Sequence, residues 1–386
     1  MIIANKRIAI VGGGPGGLTL ARLLQLKGAA VKVYERDQDS NVRVQGSTLD
    51  LHDDSGLKAL GKAELMDAFK QHYRPGADRM RVTDDQLNIV YDQHGEEDEP
   101  TFGHAHFRPE IDRGPLRNIL LDSLAPDTVV WNSHIVSLLP TGESWVLQFK
   151  DGTTAPADII IGADGANSKI RKFVTDITPI YSGVTMIEGT VYDGTKNAPR
   201  LTALTKGGKI FALADNKTLI TSAKGDGSLS FYTGMKIAES WVKDSGIDFN
   251  DHQQLLAWFR QEYAGWNKDW EELFNNDYTN FIPRPQYYMP LDQTWEAHTN
   301  ITLIGDAAHV MPPYAGEGVN MAMLDALELS ECLTSDSYPD IRSAIAGYEV
   351  PMRKRASAIA QMTLEQTDVL HAPEALSKLL QIFQGE

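Results

Sequence analysis

The run Gly12-Gly13-Gly14-Pro15-Gly16-Gly17 has the residue types and spacing to hold a pyrophosphate. Gly12, Gly14 and Gly17 fall on the fixed positions of G-x-G-x-x-G. Glycine there permits a tight strand-to-helix turn, close approach of phosphate to bare backbone, and close packing of helix on sheet. The helix that opens in the turn adds free N–H groups and the positive end of its dipole. Glu35 closes the next apolar run, eighteen residues after Gly17, near the spacing of a ribose-binding carboxylate. Arg36 follows it. This set predicts a dinucleotide and fits NAD or FAD equally well. Other reactive residue types offer less. Cys332 is the single cysteine and lies in an apolar stretch, so it reads as core filler. One cysteine excludes an internal disulfide and a cysteine zinc cluster. His104 and His106 have the spacing of half a metal site, but no third ligand is in view, and no metal is expected.

Periodicity gives the elements that must position these residues. Strands at 7–11 and 30–34 flank a helix at 15–27, a βαβ opening. Helices are expected at 53–70 and 113–124, and a strand at 145–149. Ile159, Ile160 and Ile161 run without alternation, which predicts a buried strand at 158–162. Between 181 and 233, short β-rich runs alternate with turn signals such as Gly207-Gly208 and Gly225-Asp226-Gly227, the pattern of an antiparallel sheet. Helical pattern returns at 237–275, where Trp241, Trp258, Trp266 and Trp270 read as core. A strand at 301–304, a helix at 318–333, a long helix at 341–366 and a shorter one after Pro373 complete the chain. The fold class is α/β: a Rossmann-type domain with an inserted antiparallel sheet and a long C-terminal helix.

The 386 residues suffice for a nucleotide-binding core with a second lobe, and 42% hydrophobic residues can bury it. A net charge of −16 argues against a general nucleic-acid or acidic-membrane partner. The N-terminus reads directly into a strand, and no apolar run approaches the ~20 residues of a bilayer span. A cytoplasmic protein in a reducing compartment is expected. The lack of a long exposed apolar motif favours a monomer.

Two later segments narrow the cofactor. One spans 158–171 and contains Gly162, Asp164, Gly165, Ser168 and Arg171. The other spans 305–320 and contains Gly305, Asp306, His309, Pro312, Pro313, Tyr314, Gly316, Glu317, Gly318 and Asn320. With the glycine turn, these resemble the class A aromatic flavoprotein monooxygenases, the group of para-hydroxybenzoate hydroxylase, from about residue 6 to about 348. Within that group the stretches 46–52, 110–113, 171–176 and 309–314 resemble the tetracycline-inactivating flavin monooxygenases. The resemblance implies FAD. It implies that Asp306 meets the ribityl hydroxyls and that Pro313, Gly316, Gly318, Val319 and Asn320 form the flavin loop. Backbone N–H groups there would hold the anionic N1–C2=O edge of reduced flavin through the helix dipole. Arg113 would contact the FAD, and Arg43 and Asp50 would lie near the flavin. Asp164 and Arg171 belong to a motif serving both FAD and NAD(P)H. The implied FAD-binding domain comprises 1–74, 105–177 and 291–340. The implied substrate-binding domain comprises 75–104 and 178–290, and 341–386 forms a C-terminal helical segment.

The implied activity uses NADPH or NADH to reduce the flavin and O2 to form a C4a-hydroperoxyflavin. One oxygen then passes to an aromatic or polycyclic small molecule, with tetracyclines among the possibilities. The protein's tasks are to orient substrate and exclude water, so no catalytic triad is expected and His309 should pack under the flavin loop. Glu188, Lys209 and Ser230 stand where the tetracycline enzymes hold substrate with glutamine, arginine and histidine, which changes the polar contacts. Phe211, Tyr314, Gln366 and Leu370 complete the implied substrate site. Glu317 replaces the family's usual glutamine and would bring a negative charge near the flavin. The alternative, motivated by the three substitutions, is an FAD-containing antibiotic-binding or redox-sensing protein without turnover.

Overall fold

A computed structural model describes residues 1–42, 46–95, 101–104, 107–276 and 279–384. Arg43 and His106 lie outside the described residues. The all-apolar strand Ile8–Val11 is buried along its length and pairs in parallel with Ile159–Gly162 on one side and Val31–Tyr34 on the other. Ile301–Leu303 and Val129–Val130 extend this sheet to five parallel strands among the described residues. Parallel strands need crossovers on their faces, which explains the unbroken apolar runs. The helix Pro15–Leu26 packs against Gly318–Thr334, where Gly16 comes close to Ala322. A smaller antiparallel sheet joins Ile135–Thr141, Ser144–Phe149 and Thr154–Ala157.

The helix expected at 53–70 is instead two, Gly56–Lys62 and Met66–His72. Glu64 breaks it with a φ of 62°, a left-handed conformation at a residue type that gives no warning of it.

The second layer is a seven-stranded sheet in the order Thr279–Tyr288, Ile180–Val191, Leu229–Lys236, Lys217–Ala223, Lys209–Ala214, Met80–Thr83, Ile89–Asp92. It is antiparallel except where Met80–Thr83 joins Lys209–Ala214 in parallel, which brings the early excursion into the same layer. A helix, Pro199–Thr205, interrupts the expected succession of strands. Period-two alternation sorts the residues. Ile187, Ile210, Leu219, Phe231 and Phe281 turn to one face and form a core with Leu255 and Phe259 of the helix His252–Glu262, Trp266 of the link after it and Trp270 of the turn Lys268–Leu273. Trp241 and Trp258 pack at the rim of that core. The opposite face looks toward the parallel sheet.

The long helix runs Ile341–Leu370, opened by a capping box between Asp340 and Ser343, and Ala375–Gln384 follows it. No helix among the described residues is long and apolar enough to cross a membrane.

Candidate functional site

One cleft of about 2180 Å³ runs from the glycine turn, past Asp306, to the inner face of the seven-stranded sheet. That exceeds the ~300–1,000 Å³ of an ordinary small-molecule pocket. Gly12, Gly14, Pro15 and Gly17 line its start with Glu35 and Arg36. The glycines fit a bound pyrophosphate for different reasons. A Cβ on Gly12 would stand 2.2 Å from the carbonyl oxygen of Ala163, at a φ of 112°. A Cβ on Gly14 would meet no protein atom within 4 Å, so only the space facing the cleft requires that glycine. Glu35 is buried: one carboxylate oxygen accepts from the Gly13 N–H at 2.5 Å and the other from the Asp37 N–H at 2.9 Å. It therefore also fixes the turn, while Arg36 is exposed at the cleft wall.

The segments around Asp164 and Asp306 are tied together by Arg171. Its Nε donates to the Ala307 carbonyl at 2.8 Å, and one terminal nitrogen donates to the carbonyls of Ala166 and Asp306, each at 2.9 Å. Asp164 accepts from the Ser168 hydroxyl and the Lys169 N–H, both at 2.6 Å. Burial pushes the Asp164 carboxyl up and the Arg171 guanidinium down. Asp306 opens onto the cleft, yet protein packs it on its other sides. That desolvation raises its carboxyl above the usual range, against the pull of His309, Arg113 and Arg171. His309 is buried beneath the loop and bonded to Asp325, in keeping with a packing role.

Pro313, Gly316, Gly318 and Val319 line the cleft, with the helix Gly318–Thr334 starting there. Asn320 does not line it. Its side chain is fully buried, donates to the carbonyls of Asp50 and Gly316, and accepts from the His52 N–H. Glu317 also turns away from the cleft: its carboxylate lies 3.5 Å from His52 Nδ1, and His52 Nε2 lies 3.0 Å from Asp50. Burial raises the Glu317 carboxyl. Asp50 faces the cleft and its carboxyl is held low, with His52 and Lys209 outweighing burial. Lys209 reaches across from the seven-stranded sheet to pair with Glu110, which burial pushes up. Arg113 lines the cleft and its Nε donates to the Ser47 carbonyl at 3.0 Å.

The sheet face of the cleft presents Met186, Glu188, Lys209, Phe211, Ile220, Ser222, Tyr232, Ile282 and Arg284. Ser230 shares this face in register with Ser222 and Thr190, but it is buried and does not reach the cleft. Tyr314 lines the cleft and contacts His371 Nε2 at 3.2 Å; His371 Nδ1 lies 2.8 Å from the Thr367 carbonyl. Burial pulls His371 down to about 4, so it is neutral and accepts from the Tyr314 hydroxyl. Gln366 and Leu370 do not line the cleft, and Leu370 packs with Leu213 behind Tyr314.

Sequence reasoning missed Arg117, Tyr232, Arg284 and the Asp325–Arg355 pair. Arg117 stands four residues after Arg113 on one helix face, a spacing that could have flagged it. It pairs with Asp37 at 3.0 Å and lines the cleft with its Nε buried and unpartnered. The others come together only through long-range pairing. Among the described residues no cluster of His, Cys, Asp or Glu has the makings of a metal site.

Comparison with known proteins gives these features a family. The model of the FAD binding domain matches residues 5–218 and 293–339, more than half of the chain. The monooxygenase asqM of Emericella nidulans is 28% identical over 426 aligned residues, which take in 93% of this chain and 94% of that one. Two solved structures share the fold. Klebsiella pneumoniae HpxO, complexed with FAD and uric acid, superposes with a TM-score of 0.78 at 20% identity over 100% of this chain and 94% of its own. The tetracycline destructase Tet(55) gives 0.78 at 20% identity, over 100% and 96%. The glycine turn, the Arg171-tied loops and the full-length monooxygenase likeness together mean that the chain belongs to the FAD binding domain family, as one of its class A, FAD-dependent monooxygenases.

Proposed function

We propose that this enzyme hydroxylates a planar aromatic or polycyclic small molecule, consuming NADPH or NADH and dioxygen. The overall balance is R–H + O2 + NAD(P)H + H⁺ → R–OH + NAD(P)⁺ + H2O. The observation that carries the reading is the continuity of the cleft. The same cavity is bounded by the dinucleotide turn, by Asp306 and by the inner face of the second sheet.

Bound FAD supplies the two-electron chemistry that activates oxygen. The chain's own residues hold and orient. Gly14 and the N–H groups that open the helix Pro15–Leu26 would receive the pyrophosphate, with Glu35 toward the ribose and Arg36, Arg113 and Arg117 supplying positive charge. Asp306, on the cleft wall, would accept from the ribityl hydroxyls. The free N–H groups of Gly318, Val319 and Asn320 offer positive dipole at the end of the cleft nearer the second sheet. Asp50 faces the same region.

On the sheet face, Phe211, Met186, Ile220 and Ile282 give a planar substrate apolar contact. Glu188, Lys209 and Tyr232 give it polar points of reference. The Tet(55) fold makes a tetracycline a substrate worth testing. The ion pairs of Glu188 and Lys209 then imply polar contacts of a different kind from an amide and an arginine.

The test is mass spectrometry of an aromatic and tetracycline panel incubated with FAD-loaded protein, NADPH and ¹⁸O2. A product heavier by one labelled oxygen supports the reading. Failure of the apoprotein to take up FAD overturns it. Ligand binding without oxygen consumption favours the non-catalytic alternative.

A further inference from the structure

Glu188 and Arg284 form an ion pair on the cleft face of the seven-stranded sheet, through one carboxylate oxygen and the arginine Nε. The pairing follows from register. Glu188 lies opposite Ile282 and Arg284 opposite Met186, so the two are diagonal neighbours on one face, within reach of long side chains. Glu188 is 5% exposed and Arg284 is 44% exposed, so the carboxylate is held inside while the guanidinium opens onto the cleft. Among the described residues, the two terminal nitrogens of Arg284 and the second oxygen of Glu188 have no hydrogen-bond partner. Met186 and Ile282 stand directly opposite Arg284 and Glu188, and Ile220 and Phe211 continue the same face beyond Tyr232, two and three strands from Glu188.

This is a donor edge beside an acceptor edge, with the two charges already balanced. A ligand group that accepts from Arg284 and donates to Glu188 satisfies both. A carboxylate satisfies only the first and sets its second oxygen against that of Glu188, where unlike a solvated surface the repulsion is weakly screened. A site with such fixed polar groups discriminates strongly, because the wrong ligand leaves one of them unpaired.

We propose that Glu188 and Arg284 read a neutral carbonyl with an adjacent N–H on the substrate: a carboxamide or lactam fused or attached to an aromatic system. The inference rests on the reading of this sheet face as the substrate wall. The expected recognition is of the edge, so it concerns binding and needs no turnover.

The experiment is calorimetric titration of the FAD-loaded protein with 2-naphthamide and with 2-naphthoate, a pair alike in shape and differing in this edge. The amide should bind about tenfold more tightly, the weight of ~1.4 kcal/mol. In Glu188→Gln the Arg284 charge is no longer balanced, and the ratio should fall to near one or reverse toward the acid. In Arg284→Gln the amide should weaken about tenfold with no gain for the acid. Flavin content and thermal midpoint establish that each variant is folded. Arg284→Lys, which keeps charge without the planar fork, serves if Arg284→Gln does not fold and should also lose most of the preference. Equal or tighter binding of the acid to the wild type overturns the proposal. So does a ratio unchanged in the variants, or no binding of either probe at millimolar concentration. The ¹⁸O2 assay is read separately, so oxygen transfer can fail while the edge preference stands, and the reverse.

Discussion

His309 and Asp325 share a hydrogen bond of 2.5 Å in the protein interior, beneath the loop that carries Asp306. Asp325 also accepts from the Gly305 N–H at 2.9 Å and from Arg355 at 2.9 Å, so one carboxylate braces the loop, the helix Gly318–Thr334 and the long C-terminal helix.

This pair sets a pH window. Burial alone would lower His309, but Asp325 and then Asp306 raise it above its ordinary value; Asp325 is held low by His309 and Arg355. The His309 contribution is fully present below about pH 6.5 and is lost as pH rises through the raised value. The Asp325 contribution is present above about pH 4 and is lost as pH falls through the lowered one. Asp325→Asn is expected to cost about 3–5 kcal/mol, because Arg355 and His309 lose their buried partner. Urea denaturation across pH checks it: the decline in stability on the alkaline side should vanish in the variant, and its persistence there would count against the assignment.

Gly14→Ala and Gly12→Ala should separate packing from ligand binding. At Gly14 the backbone φ of −77° suits alanine and the added Cβ meets no protein atom, so the apoprotein should keep its thermal midpoint. FAD affinity should fall tenfold or more, since the methyl enters the path of the pyrophosphate. At Gly12 the clash with Ala163 should damage the fold itself. Titration of each apoprotein with FAD, beside its melting curve, tells the two apart; an unchanged FAD affinity in Gly14→Ala removes the pyrophosphate from this turn.

Lys209 ties the seven-stranded sheet to Glu110, which stands on the short ladder of 110–111 with Leu49–Asp50 and has a side chain 1% exposed. Lys209→Met leaves that carboxylate without its cation and should destabilise by about 3–5 kcal/mol. The double variant Lys209→Met with Glu110→Gln should recover most of the loss, because no charge is then stranded. A double-mutant cycle by chemical denaturation measures the coupling, and additive losses would show that the pair contributes nothing.

Arg171→Lys should loosen the Asp306 loop. An ammonium cannot reproduce the planar fork that reaches the carbonyls of Ala166, Asp306 and Ala307 together. The expected result is about a tenfold loss of FAD affinity by flavin fluorescence titration. Wild-type affinity in this variant would assign the staple to folding alone.

Much of this is legible in the sequence. The glycine turn, the Ile159–Ile161 strand and the helix after Gly318 declare themselves because local sterics and apolar period decide them. The two-part helix at 56–72 was not legible, since Glu64 holds a left-handed conformation that its type does not signal. Nor was the turning of Glu317 toward His52, which depends on residues some 265 positions apart meeting at a helix start. Arg284 escaped for the same reason: its register opposite Met186 exists only once two strands nearly a hundred residues apart have paired. The substitutions at Glu188 and Lys209 were visible, but their partners Arg284 and Glu110 were not.

The parallel pairing of Met80–Thr83 with Lys209–Ala214 has a consequence for biosynthesis. A chain emerging from the ribosome exposes the 80–92 hairpin long before its neighbour exists, with one row of backbone donors and acceptors open and Ile89 and Val90 facing water. Such an edge invites pairing with another nascent chain. More than a hundred residues must be added before that risk ends, so slowed elongation or a holding chaperone should matter most for yield in that interval.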